Sequence, residues 1–145
     1  LFEPDQRLYY DIELLHADRG TLYWLDPENG ELWSIIETDR ERFTIRVQVG
    51  KGLAGWVAMT GVPLVINDVL MDDRFDARWD KKSGYRTHTV LATPMLDGNG
   101  SVVGVLQMLN STRGAFDEDD TQLLTAIAEI CGLAEVARRN ALVVA

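Results

Sequence analysis

"VLATPMLDGNGSVVGVLQMLN", residues 90–110, decides the fold. Two apolar runs flank Asp97, Gly98, Asn99 and Gly100. Asp, Asn and Gly tolerate the backbone angles of a tight turn, so the stretch predicts an antiparallel hairpin. Toward the N-terminus "TLYWLDPENGELWSIIE" (21–37) repeats the pattern around Pro27–Gly30. "TIRVQV" (44–49) alternates strictly, which puts Ile45, Val47 and Val49 on one face of a strand. "VPLVIND" (62–68) is a further strand, with Pro63 suited to its first position. Between these two, "GKGLAGWVAMTG" (50–61) predicts a close approach at Gly52 and Gly55, then a short helix that Gly61 ends.

Helical periodicity marks the two ends. "PDQRLYYDIELLHADRG" (4–20) places Leu8, Ile12 and Leu15 on one helical face. A long helix is expected from about Asp117, with Asp117 as N-cap and further acids favoured by the helix dipole in the first turn. Its stripe Leu123, Ile127, Ile130, Ala134 and Ala137 is expected to face the sheet. A second line, Leu124, Ala128, Cys131 and Leu133, is expected to face a partner, as is the apolar "ALVVA" (141–145). Adjacent hairpins with helices at both ends predict an α+β sandwich with an antiparallel sheet. The terminal helices should cover one face and the central connection the other.

The composition excludes several functions. At 145 residues the chain is expected to be one domain. A net charge of −9 argues against nucleic acid and anionic membranes, which are recognised by clustered Lys and Arg. No apolar run approaches the roughly 18 residues of a membrane span, and no basic segment leads into an apolar one. The single cysteine, Cys131, cannot form an intrachain disulfide, which suits the cytoplasm; its place in an apolar pattern reads as core. His16 and His88 stand apart without a metal-binding spacing. No GxSxG elbow, Cys–His pair or Walker A loop is present, so no enzyme is expected. "DDRFD" (72–76) reads as a solvated loop and "DEDD" (117–120) as a helix start. The chain opens on Leu1 and ends inside an apolar pattern, which reads as a piece of a longer protein.

One segment resists this plain reading. Residues 69–89 connect two strands through some twenty mostly polar positions, long for a compact domain unless the connection is functional or holds its own helix. Its end, "DKKSGYRTHTVL" (80–91), is either a solvated helix and loop or a lid over a small polar ligand. In the first case Asp80 and Thr87 suit caps of a short lid helix, since both types bond local backbone.

Taken in order, "ADRGTLYWLD", "IRVQVGKGLAGWVAMTGVPLVINDV", "DRF…D..SGYRT.TVLATPM" and "GVLQMLN…GAFDEDD" resemble the GAF domain family over roughly residues 5–140. The resemblance implies that family's six-stranded antiparallel sheet of the PAS type, with a lid on the face opposite the terminal helices. It looks closest to the GAF domains of cyclic-nucleotide phosphodiesterases and adenylyl cyclases, which bind cAMP or cGMP. On that likeness the lid residues match Asp80, Ser83, Gly84, Tyr85 and Thr87. Leu53 and Ala54 would lie beside the nucleotide, with Thr21 and Gln107 rising from the sheet floor.

The subgroup signature (N-K, a variable gap, F, three residues, D-E) is matched at Asn110, Phe116 and Asp120. Ser111 replaces its Lys and Thr121 its Glu. The family's Lys pairs with the Asp, and Arg113 is the candidate substitute here. In a bound nucleotide, Asp80 is expected at the base. The phosphate would meet backbone N–H groups near Leu53 and Ala54 or Thr87, where little basic charge is expected. Lys81, Lys82 and Arg86 should face water.

Two functions follow. One is a ligand-sensing regulatory module, a homodimer signalling through its terminal helices to a linked output domain. The other is a ligand-free dimerisation module. A bilin chromophore would need a cysteine on the chromophore-bearing segment, and haem would rest on His88 alone.

Overall fold

The computed structural model describes residues 4–37 and 41–144. In chain order the elements are α1 (Pro4–Leu14), β1 (Ala17–Asp26), β2 (Glu31–Glu37), β3 (Arg42–Gln48), α2 (Gly52–Thr60) and β4 (Leu64–Ile66). A 3-10 turn (Val69–Met71) leads to α3 (Arg78–Ser83), β5 (Val90–Leu96), β6 (Val102–Ser111) and α4 (Glu118–Val144). The strands form one six-stranded antiparallel sheet in the order β3-β2-β1-β6-β5-β4. The central pair, β1 with β6, joins the two hairpins and sets Thr21 opposite Gln107.

Side-chain alternation along the strands splits the core in two. On one face Leu91, Met95, Leu106 and Met108 pack with Leu15 after α1 and with Leu124, Ile127 and Ala128 of α4. On the other face Tyr23, Leu32, Val90 and Val105 pack with Leu53 and Val57 of α2 and with Val69 of the connection. The terminal helices thus cover one face and the central connection the other, as the sequence predicts. Gly61 ends α2 in the left-handed conformation (φ 69°), returning its N–H to the Val57 carbonyl. Gly55 is required for a different reason: a Cβ there would lie 2.5 Å from the Gln48 carbonyl oxygen, so α2 starts tight against the end of β3.

The structure departs from the sequence reading at three places. The first helix stops at Leu14, and "ADRG" opens β1 instead of extending the helix. His16 (φ 53°) makes the turn, and the Thr112 N–H and hydroxyl hold its carbonyl at 2.7 and 3.0 Å. A Cβ on Gly20 would lie 2.8 Å from Ile12, so the strand passes under α1 without clearance. Next, β4 is only three residues long, because Pro63 cannot donate to the ladder and Asn67 turns away to the α4 approach.

The third departure concerns α4, where each apolar line is divided between core and surface: Ile127 faces the sheet as expected, but most of its line does not. Leu124 and Ala128 are fully buried and Cys131 packs partly against the same core, whereas Leu123, Ile130 and Leu133 are 39%, 59% and 52% exposed. Gly132 decides the rotation. A Cβ there would lie 2.2 Å from the Leu96 carbonyl oxygen, so only the Gly132 side of the helix can approach β5 this closely. Glu135 follows on the buried face, where Arg138 and Arg139 satisfy its carboxylate at 2.7–3.0 Å. Ala141 is exposed; the side chains of 142–145, the rest of the apolar tail, lie outside the described residues.

Candidate functional site

A cleft of about 1310 Å³ lies between the sheet and the segment that crosses it before β5. Its floor is polar at one point, where Thr21 and Gln107 face each other across β1 and β6. Beside them Tyr23 is almost wholly buried. Burial pushes its phenol up to about 12, against the opposing pull of its hydrogen bond with Gln107, so it stays neutral. Leu53 and Ala54, in the first turn of α2, form a wall. The N-cap residue of that helix is Lys51, whose side chain makes no capping bond.

The roof is α3 and the strand-like piece after it. No residue of α3 is buried, so the helix lies over the cleft without entering a core. Gly84 (φ 77°) ends it with an N–H to the Asp80 carbonyl, and the Ser83 hydroxyl accepts the Tyr85 N–H at 3.2 Å. Asp80 then clips the segment closed. Its two carboxylate oxygens accept the Thr87 N–H at 2.7 Å and the Thr87 hydroxyl at 2.9 Å. Asp80 and Thr87 therefore line the cleft and bind each other across the lid, but neither caps α3 as foreseen: its N-cap is Ala77 and its C-cap Gly84. A phosphate could not use the Thr87 N–H while this clip is closed.

The lid is anchored at both ends. At its start Arg74 forms a bidentate pair with Asp72 (2.6 and 2.9 Å) and lies 4.5 Å from the centre of a Trp56 ring on α2. Those hydrogen bonds hold the Asp72 carboxyl well down, at about 2. The same Asp-x-Arg pairing recurs at Asp76 and Arg78, which opens α3. Asp72 and Asp76 of "DDRFD" are thus ion-paired, and no group of potential metal ligands exists among the described residues. At the lid's far end the Tyr85 hydroxyl donates to Asp18 at 2.6 Å and accepts from the Asn110 amide at 2.9 Å. Arg19 lies 3.9 Å over the Tyr85 ring.

All eight residues expected at the ligand (Thr21, Leu53, Ala54, Asp80, Ser83, Tyr85, Thr87 and Gln107) line this one cleft. The signature residues Asn110, Phe116 and Asp120 lie outside it and brace its surroundings. Asn110 binds the lid. Phe116 is buried in the α4-side core, and its backbone N–H and carbonyl are held by the Asn67 side chain at 2.9 and 3.1 Å. Asp120 pairs with Arg113 at 3.0 Å, so Arg113 does stand in for the signature lysine.

Several residues of the cleft escaped the sequence reading. Asp18 and Arg19 fell in a stretch read as helix, and nothing local signals that a strand there would meet Tyr85. The cleft is also more basic than expected. Arg19, Arg46, Lys51, Arg78 and Lys82 line it, with Arg46 paired to Asp26 and Glu31 and Arg78 to Asp76. Lys81 and Arg86 are exposed as expected; Lys82 is exposed too, with its ammonium 5.6 Å from the Trp79 ring centre.

Residues 10–135 match the family model of the GAF domain. The chain belongs to the GAF domain family. This GAF domain is 37% identical over 134 residues to a probable 3',5'-cyclic phosphodiesterase of Caenorhabditis elegans, covering 84% of the chain and 18% of that protein. It is 34% identical to the dual 3',5'-cyclic-AMP and -GMP phosphodiesterase 11 of Drosophila melanogaster, covering 83% of the chain and 9% of that protein. The chain thus spans less than a fifth of these relatives. Its fold is that of the GAF domain from a phosphoenolpyruvate-protein phosphotransferase of Coxiella burnetii, with TM-score 0.77, 21% identity, and coverage of 95% of this chain and 82% of that one. No described helix is long and apolar enough to cross a membrane.

Proposed function

We propose that this GAF domain is the non-catalytic sensor of a larger signalling protein, and that a cyclic nucleotide, cAMP or cGMP, binds under its lid. The observation that carries the reading is the cleft itself. It has apolar walls at Leu53 and Tyr85, a few convergent polar groups at Thr21, Gln107 and Thr87, and an enclosing roof, as a small-ligand site requires. The relatives' names supply the class of ligand. The phosphate sits best at the first turn of α2, where Lys51 adds a positive charge beside the Leu53 and Ala54 amides. The base lies toward Thr21 and Gln107. Occupancy biases the lid, and the terminal helices of a homodimer carry the bias to the linked output domain.

A second reading, a dimerisation module without ligand, is favoured by one observation. The Asp80–Thr87 clip already satisfies the lid's most inward polar groups. Thermal melting with each nucleotide decides between the two. Ligand at about 100 times its Kd should add about 2.7 kcal/mol, or roughly 5–12 °C for a domain of this size. No shift with millimolar cAMP or cGMP, and no nucleotide released on denaturation, would leave the dimerisation reading.

A further inference from the structure

Three parts of the chain that are remote in sequence meet at the end of the lid. Tyr85 is the lid's contribution. Its hydroxyl bridges Asp18, just after the α1–β1 turn, and Asn110, at the end of β6. Asn110 does more than receive Tyr85. Its amide also donates to the Arg86 carbonyl at 2.7 Å, and its carbonyl oxygen accepts the His88 and Thr89 N–H groups at 2.6 and 3.1 Å. One side chain therefore fixes residues 85–89.

Two further links leave the same place. Thr112, two residues past Asn110, holds the His16 carbonyl and with it the exit from α1. Arg113 is the next residue. It reaches Asp120, which closes a reciprocal cap with Asp117 at the start of α4: each donates its N–H to the other's carboxylate at 2.9 Å. Backbone geometry singles out the same spot. Among the described residues only His16 (φ 53°) and Asn110 (φ 57°) are non-glycine residues in the left-handed region, and both belong to this junction. Such conformations persist where surrounding bonds over-determine them.

We infer that the Tyr85–Asn110 junction is where the position of the lid is communicated to both terminal helices. When the lid end lifts, Asn110 loses the partners that hold its left-handed backbone. Residues 110–113 then relax, which loosens Thr112 from His16 and Arg113 from Asp120. The biological meaning rests on the cleft being a ligand site; the coupling itself does not, and it is measured without ligand.

The test is amide hydrogen exchange by NMR on the ligand-free 145-residue chain, comparing wild type with Tyr85→Phe and Asn110→Gly. The first variant removes one hydroxyl. The second removes the amide while leaving a residue at ease with φ near +57°, which separates the clasp from backbone strain. The reporting amides are His88 and Thr89 for the lid, Thr112 for the α1 exit, and Asp117 and Asp120 for the α4 start. All should exchange about five- to tenfold faster in Tyr85→Phe, the loss of roughly one net hydrogen bond, and more so in Asn110→Gly. The central amides of Leu106 and Met108 should keep their rates. Acceleration confined to His88 and Thr89 would overturn the coupling, since the junction would be a latch and nothing more. Unchanged rates, or a uniform rise that includes Leu106 and Met108, would overturn it equally. Cyclic-nucleotide binding can fail outright without altering any of these outcomes.

Discussion

Arg113 reaches Asp120 at 3.0 Å, and the other Asp120 oxygen accepts the Asp117 N–H, so one buried carboxylate serves both the turn from the sheet and the cap of α4. The two partners differ in exposure, 55% for the Arg113 side chain and 6% for that of Asp120. Asp120→Ala should therefore cost about 1–2 kcal/mol, because the Asp117 N–H loses its partner in the reciprocal cap, while Arg113→Ala should cost under about 1 kcal/mol. Urea denaturation of both variants checks this ordering. Equal losses would mean that the ion pair, not the cap, stabilises the turn.

Asp80 should control the lid through Thr87. Asp80→Ala removes the acceptor of two hydrogen bonds, and binding of cAMP or cGMP should weaken by about 1.5–3 kcal/mol, or roughly ten- to a hundredfold. Asp80→Asn keeps one good acceptor oxygen and should fall between wild type and alanine. Titration calorimetry measures both. An asparagine variant as weak as alanine would show that the carboxylate acts on the ligand by charge and not on Thr87 by geometry.

Acid should release the start of the lid only near the bottom of the carboxylate range. Hydrogen bonds from Arg74 lower the Asp72 carboxyl to about 2 from its ordinary 3.8. Arg78 lowers Asp76, and Arg138 lowers Glu135, by the same kind of bond. A carboxylate depressed by folding stabilises the folded state fully above its unfolded value near 4, and that stability fades as the pH falls through the folded value. Urea midpoints should therefore drop between about pH 4 and 2, and Asp72→Asn should drop less over the same window. An unchanged slope in that variant would remove Asp72 from the account.

The exposed line on α4 predicts the oligomer. Leu123, Ile130 and Ala137 recur every seven residues, with Leu133 between the last two, the spacing of a two-helix seam. Ile130→Glu and Leu133→Glu should give monomers that melt as isolated domains without loss of the fold. Light scattering at about 100 µM, a loading that favours weak association, checks this. A wild-type monomer at that loading would remove the seam.

Much of this was legible in the sequence because backbone demands leave marks. The Asp-Gly-Asn-Gly turn, the glycine that stops α2 and the period-two runs each have few alternatives. The rotation of α4 was not. Two apolar lines lie side by side on that helix, and its buried face carries a glycine and an acid, which read as solvent-facing. Gly132 faces the core because backbone must approach backbone there, and Glu135 does so because two arginines satisfy it. The cleft divides in the same way. The eight residues expected in it followed from the family pattern. The Tyr85 contacts with Asp18 and Arg19 did not, since they depend on how β1 lies beneath α1. The Asp80–Thr87 clip was visible only as a capping preference, because a side chain that serves a ligand and one that serves its neighbour are the same residue type.

The contact between Gly132 and the Leu96 carbonyl has a mechanical consequence. It leaves no clearance, so α4 cannot move closer to the sheet at that point, although it can tilt about it. Gly132 is then a fulcrum. At 1.5 Å per residue the arm from Glu118 to Gly132 is about 21 Å and the arm from Gly132 to Val144 about 18 Å. Lever arms so nearly equal neither amplify nor absorb. A rigid tilt about Gly132 that displaced the Asp117–Asp120 cap would move the far end of the helix by nearly the same amount in the opposite direction.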